Sequence, residues 1–451
     1  MIDKQWLSQY ADKVRAADYI DPALYRKYGV KRGLRYDDGT GVLVGLTTIG
    51  NVHGYLTSEG ERVAIPGELF YRGINVKDIV SAGRREHRFG YEEVSYLLLF
   101  GMLPTARELV DFKQKLGSYR RLSDGFKENA ILRHPPLDIM NGIARSLLFA
   151  YAYDECDSPE DMSIENCLRM SINLMGAMPT IAAYAYQAKA HYHMDAPLMI
   201  RNPDAKKSTA ENFLSLIRED GRCTRLEAET LDLALILHAE HGGGNNSSFV
   251  THVVTSAHTD LFSSMAASVL SLKGHRHGGA NLRVMKQMDE IKSSVKDWQN
   301  ERQVVRYLEK IADRKAGDGT GLIYGLGHAV YTISDPRAQM LKAKARELAK
   351  AKDRQAEMRL FELIEEKGPA VIKSRHPHAE DVCANVDLYS GFVYDMLDIP
   401  RDLYTPIFAI ARCVSWCAHR MEELINAGPI IRPAYKPLFR PRAYVPLKKR
   451  K

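Results

Sequence analysis

Twelve stretches of this chain repeat apolar residues at the spacing of an α-helix, and they are spread from Tyr91 to Ile425. They are Tyr91–Phe100, Thr105–Leu116, Leu137–Tyr153, Ile164–Ala190, Ala210–Ile217, Arg225–His238, Leu261–Leu272, Asn281–Ile291, Glu301–Ala312, Pro336–Lys350, Arg354–Lys373 and Tyr404–Ile425. Residues three or four apart share a helix face, so each stretch predicts a helix with an apolar stripe. Such stripes bury against one another, which points to a mainly α fold. Pro104, Pro203 and Pro400 fall between runs, where helices must break. Thr105 and Ser208 stand where N-caps are needed. Only Gly41–Tyr71 departs from the pattern. There Val42-Leu-Val-Gly-Leu-Thr-Thr-Ile49 and the Gly/Thr/Val-rich stretch after it predict a few short strands. Lys292–Gly321 is charged and reads as a surface excursion, and Arg375–Asp381 reads as a loop.

At 451 residues and 45% hydrophobic content, the chain is able to bury a large core, and its length suggests two domains. No apolar run approaches the ~20 residues of a membrane span. The N-terminal residues lack an apolar signal core, and the expectation is a cytoplasmic protein. Cys156, Cys167, Cys223, Cys383, Cys413 and Cys417 are too sparse for a disulfide framework and read as reduced, packed thiols. A net charge of +7 is mild at this size and suits small anionic ligands. The basic end Leu447–Lys451 reads as a frayed terminus. No basic face interleaved with aromatics accompanies it, so no nucleic-acid partner is expected.

Three segments concentrate groups that do chemistry. Gly274-His-Arg-His-Gly-Gly-Ala-Asn281 sets His277 among glycines just before a helix. The positive end of that helix disfavours a protonated imidazole, and a neutral ring is able to donate to a developing oxyanion. His275 and Arg276 beside it read as solvated. Gly325-Leu-Gly-His-Ala-Val-Tyr-Thr-Ile-Ser-Asp-Pro-Arg337 carries His328 and, nine residues on, Arg337 in the first turn of a helix. Asp335 reads there as the helix cap. Asn385-Val-Asp-Leu-Tyr-Ser-Gly391 adds Asp387, either a cap or a base. His238-Ala-Glu-His241 ends an apolar helix, with His241 the candidate ligand-binding ring. Its i, i+3 spacing would let two histidines share a face, but it is not HExxH, and no metal is expected. Arg412 interrupts an apolar helix, and Arg432 stands in Ile430-Ile-Arg-Pro433. A buried arginine needs a partner, which an anionic substrate would supply.

These motifs, taken in order, resemble the citrate synthase family over nearly the whole chain. Further support comes from Leu69-Phe-Tyr-Arg-Gly-Ile74, Val94–Gly101 with Leu103-Pro104, Met178-Pro-Thr-Ile-Ala-Ala-Tyr184, Ala210–Leu214, Leu237–His241 and the arginine pair twenty residues apart. The resemblance implies condensation of acetyl-CoA with oxaloacetate, then hydrolysis of citryl-CoA to citrate and CoA, the entry to the tricarboxylic acid cycle. It implies catalytic roles for His277, His328 and Asp387: donor to the thioester oxygen, acid at the ketone, and base at the methyl group. His241, Arg337 and Arg412 would hold oxaloacetate, with Arg432 reaching the neighbouring subunit's site in a homodimer. Backbone around Leu322, Gly325, Leu326 and Gly327 would meet coenzyme A. No cofactor is implied beyond acetyl-CoA as substrate, and no metal.

The resemblance also implies a large helical domain from 1–277 and 396–451, and a small helical domain from 278–395, closing on the site. Three departures fall on the acyl-CoA side. His275-Arg276 replace the usual Pro-Leu, Thr332 replaces a common Lys or Arg, and Pro377–Ala384 is long and polar. Lys373 or Arg375 would be the substitutes for the cation missing at 332. Two alternatives stand beside the main reading: a 2-methylcitrate synthase using propionyl-CoA, and a non-catalytic, ligand-sensing relative. One methyl group supplies only about 1–3 kcal/mol of discrimination.

Overall fold

The computed structural model describes residues 3–37, 39–58, 61–154, 158–377 and 381–450. The chain is mainly helical, with 17 α-helices and one three-stranded sheet among these residues. It divides into two compact units, one up to Leu46 and one from Thr47 on. The first unit holds α1 (Lys4–Asp18) and α2 (Pro22–Lys27), each started by an aspartate that accepts a backbone N–H, Asp3 and Asp21.

The second unit opens with an antiparallel hairpin. Strand β1 (Gly50–Ser58) pairs with β2 (Glu61–Tyr71), and β2 with the short β3 (Ile74–Asn75). The strands expected at Val42–Ile49 are absent; pairing starts only at Gly50. Leu43 and Leu46 are 83% and 90% exposed, so that stretch has nothing to bury its alternation against. The register of β1 and β2 slips between His53 and Tyr55. Glycine is required on both strands beside this slip. A Cβ on Gly54 would lie 2.6 Å from the Val330 carbonyl oxygen, and one on Gly67 2.2 Å from that of Ser334. The bare backbone lets residues 330–334 lie directly on the hairpin, and Gly67 N–H donates to the Ser334 carbonyl.

Helices then follow in series: α3 (Val76–Arg85), α4 (Tyr91–Phe100), α5 (Ala106–Ser118), α6 (Ile139–Ala150), α7 (Ile164–Met194), α8 (Thr209–Ile217), α9 (Arg225–His238), α10 (Asn246–Ser256) and α11 (Leu261–Lys273). Next come α12 (Ala280–Ser294), α13 (Glu301–Ala312), α14 (Pro336–Ala351), α15 (Gln355–Arg375), α16 (Val386–Met396) and α17 (Tyr404–Asn426). Thr105 and Ser208 are the N-caps expected, each completed into a capping box by a glutamate three residues on. The central element is α17. It packs on α4, α7, α9, α10 and α11 and buries Arg412, Trp416 and Arg420 completely. Helices α12 to α16 pack chiefly on one another, α12 on α16, α13 on α15, and α14 on both α15 and α16. The charged stretch 292–321 is therefore anchored, since α13 buries Val304, Leu308 and Ile311.

Helices α1, α2, α3, α10 and α16 have no counterpart among the twelve periodic runs. In α16 nearly every residue from Val386 to Tyr394 is buried, which erases the polar stripe that marks a helix. In α10 the buried positions are Ser247, Ser248, Thr251, Thr255 and Ser256, a polar stripe that apolar periodicity does not detect. Among the cysteines, Cys156 lies outside the described residues and the other five are free thiols. The basic end is exposed, with one short 3-10 turn at Leu447–Lys449. Of the loop expected at 375–381, residues 378–380 lie outside the described residues, and Arg375 belongs to α15.

Candidate active site

Where α9 ends, its two histidines diverge. His238 is fully buried, stacked on Phe408 at 4.2 Å, with Nε2 3.0 Å from the Tyr394 hydroxyl. It is a packed ring. His241 turns the other way and meets His328 edge-on, with ring centroids 5.2 Å apart. Its Nε2 is buried without a hydrogen-bond partner among the described residues. The shared face that i, i+3 spacing allows is therefore not used, and among the described residues the two rings join no set of three possible metal ligands.

His328 is held by its own turn. Its Nδ1 accepts backbone N–H groups of Val330 and Tyr331, each at 3.1 Å, and its ring stacks on Tyr331 at 4.7 Å. A nitrogen that accepts two bonds carries no proton, so the ring proton of neutral His328 sits on Nε2. Burial, and then the Arg337 charge, lower its pKa to about 4, keeping it neutral. Nε2 lies 3.4 Å from Arg337 Nη2. Both are donors, so they converge on a place where an oxygen acceptor belongs.

Arg337 stands in the first turn of α14. Asp335 caps that helix by accepting Arg337 N–H at 2.9 Å, as its position predicts. It does more: its carboxylate also accepts from Arg337 Nε at 3.0 Å, from Nη2 at 2.7 Å and from Val386 N–H at 3.2 Å. One aspartate thus ties the starts of α14 and α16 together and aims the guanidinium. Burial opposes the Arg337 charge, but Asp335 outweighs it and raises the pKa above the ordinary value.

Arg412 has no such partner. Its Nε donates to the His238 carbonyl at 2.7 Å, and its plane lies over Phe408 at 4.9 Å. Nη1 and Nη2 are buried and unpaired among the described residues. Burial lowers its pKa to about 10.

Asp387 is the second residue of α16. The side chain of Asn385 caps that helix at Asp387 N–H (3.0 Å) and reaches the Gly327 carbonyl with its amide (2.8 Å). Burial pushes the Asp387 carboxyl up to about 6, with Arg337 opposing and Asp335 assisting. The cap is therefore Asn385, and Asp387 is left with a perturbed carboxyl.

His277 lies in the tight turn between α11 and α12. Burial and the Arg412 charge lower it to about 4. Its Nε2 faces Ser247 Oγ at 3.2 Å, and Trp416 Nε1 donates to the same oxygen at 3.2 Å. Ser247 also lies 3.0 Å from Asn245 Oδ1, so its single proton is shared between two acceptors. When that proton goes to His277 Nε2, the neutral ring carries its own on Nδ1 and becomes a donor there. His275 and Arg276 are exposed, as expected.

The loop Leu322–Gly327 is pinned beside Asp387. Asn385 N–H donates to the Gly325 carbonyl at 2.9 Å, and Gly327 N–H to Cys383 at 2.8 Å. Gly325 has φ +88°, and a Cβ there would meet Leu388 Cδ1 at 2.8 Å. Leu322 is 55% exposed. Lys373 and Arg375, the candidate substitutes for a cation at 332, are paired with Asp381 and Asp313. Arg432 is exposed on the extended segment after α17 and forms no ion pair with this cluster among the described residues. The fold thus gathers His241, His328, Arg337, Asp387, Arg412 and His277, from sequence positions up to 171 apart, and leaves Arg432 outside. Sequence reasoning missed Ser247 and Tyr331, which position His277 and His328; a serine in a polar helix and a tyrosine in a loop give no signal.

Comparison with known proteins gives a consistent result. The family model "Citrate synthase, C-terminal domain" matches residues 36–434. The citrate synthase of Haloferax volcanii is 32% identical over 373 residues, covering 81% of this chain and 88% of that one. A 2-methylcitrate synthase of Corynebacterium glutamicum is 29% identical over 374 residues, covering 81% and 87%. Among solved structures, the citrate synthase of Pyrobaculum aerophilum has a TM-score of 0.74 at 30% identity, covering 91% of this chain and 94% of that one. The citrate synthase of Thermoplasma acidophilum, solved as a ternary complex with carboxymethyl coenzyme A and oxaloacetate, has a TM-score of 0.75 at 27% identity, covering 93% and 99%.

Proposed function

Because the chain belongs to the citrate synthase family, we propose that it condenses acetyl-CoA with oxaloacetate and hydrolyses the citryl thioester to citrate and free CoA. The observation that carries this reading is a set of donors beside His241, of which the two Nη groups of Arg412 have no acceptor among the described residues. Arg337 Nη2 and the Nε2–H of His328 lie 3.4 Å apart, and the charges of Arg337 and Arg412 both act on the His241 ring. A dianion with a ketone between its carboxylates satisfies all of them. His241 is neutral, since burial holds it well below its usual range, and serves as one more donor to the same ligand.

The chemistry follows from the charges. Asp387 removes a methyl proton from the thioester, and a carboxyl near pKa 6 is a stronger base than one at about 3.9. His277 donates to the enolate oxygen as a neutral imidazole; loss of one such donor typically costs about 100–1000-fold in rate. The enolate carbon attacks the ketone, whose oxygen takes its hydrogen bond from His328. Leu322–Gly327 offers backbone to coenzyme A beside the base. Closure of residues 278–395 on the rest would exclude water until hydrolysis. Arg432 belongs to the neighbouring subunit's site in a homodimer.

The experiment is oxaloacetate-dependent release of CoA thiol with acetyl-CoA and propionyl-CoA in parallel, with Asp387→Ala as control. Acetyl-CoA preference lost in the variant is the expected result. Propionyl-CoA preference would move the reading to 2-methylcitrate formation, which the Corynebacterium relative keeps open. No release from folded protein with either thioester would end the enzymatic reading.

A further inference from the structure

Behind the His241 loop, α10 and α17 bring together a second histidine cluster that the reaction does not use. His252 lies on α10, and His419 and Glu422 on α17. His252 Nδ1 is 2.7 Å from Glu423 Oε2, and His419 Nε2 is 3.3 Å from Glu240 Oε2. Carboxylates only accept, so both of these nitrogens carry the ring protons. The two remaining nitrogens, His252 Nε2 and His419 Nδ1, face each other at 3.2 Å, a contact that either the second proton of a His419 imidazolium or a metal ion closes. Burial opposes the ring charge, but Glu240 and Glu422 outweigh it and raise the His419 pKa to about 9. A third acceptor points at them. Glu422 Oε2 is 3.6 Å from His419 Nδ1, its side chain is 10% exposed, and it has no hydrogen-bond partner among the described residues. All three atoms lie within 4.8 Å of one another.

We propose that His252, His419 and Glu422 bind a divalent transition-metal ion of the zinc class, clipping α10 to α17. Three side-chain atoms that converge within 4.8 Å of one another are satisfied together by one cation. Two imidazole nitrogens and one carboxylate suit zinc or its neighbours better than magnesium or calcium. A tetrahedral ion with metal–nitrogen bonds of about 2.0–2.1 Å sets its ligands roughly 3.3 Å apart, close to the spacing seen. The carboxylates behind each ring, Glu423 and Glu240, are the outer partners that fix a ligand histidine's tautomer. The Arg72 guanidinium, whose charge acts on Glu422 and Glu240, spends its hydrogen bonds on the Leu98 carbonyl and Thr48 Oγ1. Gly243 lies against the cluster, where a Cβ would be 3.4 Å from His419 Cε1 and 3.6 Å from His252 Nε2. Its bare backbone leaves room for a fourth ligand. Glu240 also accepts Gly242 N–H, so the ion would stiffen the loop that presents His241.

The test uses Co2+ as the probe. Chelator-treated full-length protein is titrated with Co2+ and the visible absorption of tetrahedral Co2+ is followed. One ion per chain, displaced by Zn2+, is expected, together with a rise in melting temperature on adding Zn2+. His252→Gln and Glu422→Gln should each weaken binding by tenfold or more, and Glu423→Gln, which spares the ligands, by about tenfold. His241→Asn should leave it unchanged. Absence of the tetrahedral spectrum in wild type, or its persistence in folded His252→Gln, would overturn the site and leave His419 as an imidazolium between two glutamates. Both readouts are independent of enzymatic activity.

Discussion

Arg412 is a buried cation that the empty protein leaves half satisfied, and that has a measurable cost. Removing it as Arg412→Met should leave the unliganded protein at least as stable as wild type, because an unpaired buried charge is replaced by apolar contact. The same variant should lose the stabilisation that oxaloacetate gives wild type, about 2.7 kcal/mol at a hundred times Kd. Calorimetry with and without oxaloacetate reads both; a large loss of stability without ligand would mean that Arg412 is structural. Asp387 makes the complementary case. Its folded pKa of about 6 lies above the unfolded value near 3.9. Stability tied to its neutral form is complete below about pH 4 and is lost as pH rises through 6. Asp387→Asn should therefore be more stable than wild type at pH 7, by on the order of 2–3 kcal/mol, with no difference near pH 4. In wild type, kcat/KM should fall as pH drops through about 6, where the base takes up its proton. At this scale part of the cluster is legible in the sequence. His277, His328 and Arg337 stand out by their glycine and proline neighbours, and Arg412 by its apolar ones. The residues that aim them were silent, because Ser247 and Tyr331 act only through a partner brought up by the fold.

Between residue and molecule, the site depends on where elements begin. His277 precedes α12, Arg337 opens α14 and Asp387 opens α16. A long amphipathic helix such as α13 was legible to within a residue, since it has one wet face and one dry face. Helix α16, which carries Asp387, was not, because both of its faces are buried. Nor does periodicity report that Asp335 binds the starts of α14 and α16 together, a contact across 51 residues. The turn at Gly325 is the sharpest constraint at this level. Its φ of +88° suits glycine, and a side chain would strike Leu388 on α16. Gly325→Ala should cost more than about 1 kcal/mol of stability and raise KM for acetyl-CoA more than for oxaloacetate. Equal changes in both constants would show that the loop is only structural.

The whole molecule is where Arg432 finds its meaning. It is exposed in the single chain and outside the cluster, as a residue would be that serves a second copy. Asp387→Ala and Arg432→Ala should each be inactive alone. Mixed and refolded together, they should regain roughly a quarter of wild-type activity, since half of randomly formed dimers are mixed and each mixed dimer has one intact site. No recovery, with mixed dimers shown to form, would place Arg432 outside the site. The position of α17 has a consequence of another kind. The helix on which α4, α7, α9, α10 and α11 pack is also the last α-helix of the described chain to leave the ribosome. At roughly 5–20 residues per second, α4, α7, α9 and α11 wait for it for up to tens of seconds. Through that interval the faces that they turn to α17 have nothing to close over them. A translation stop before α17 therefore leaves these helices without the element they share, while α12 to α16 still have one another.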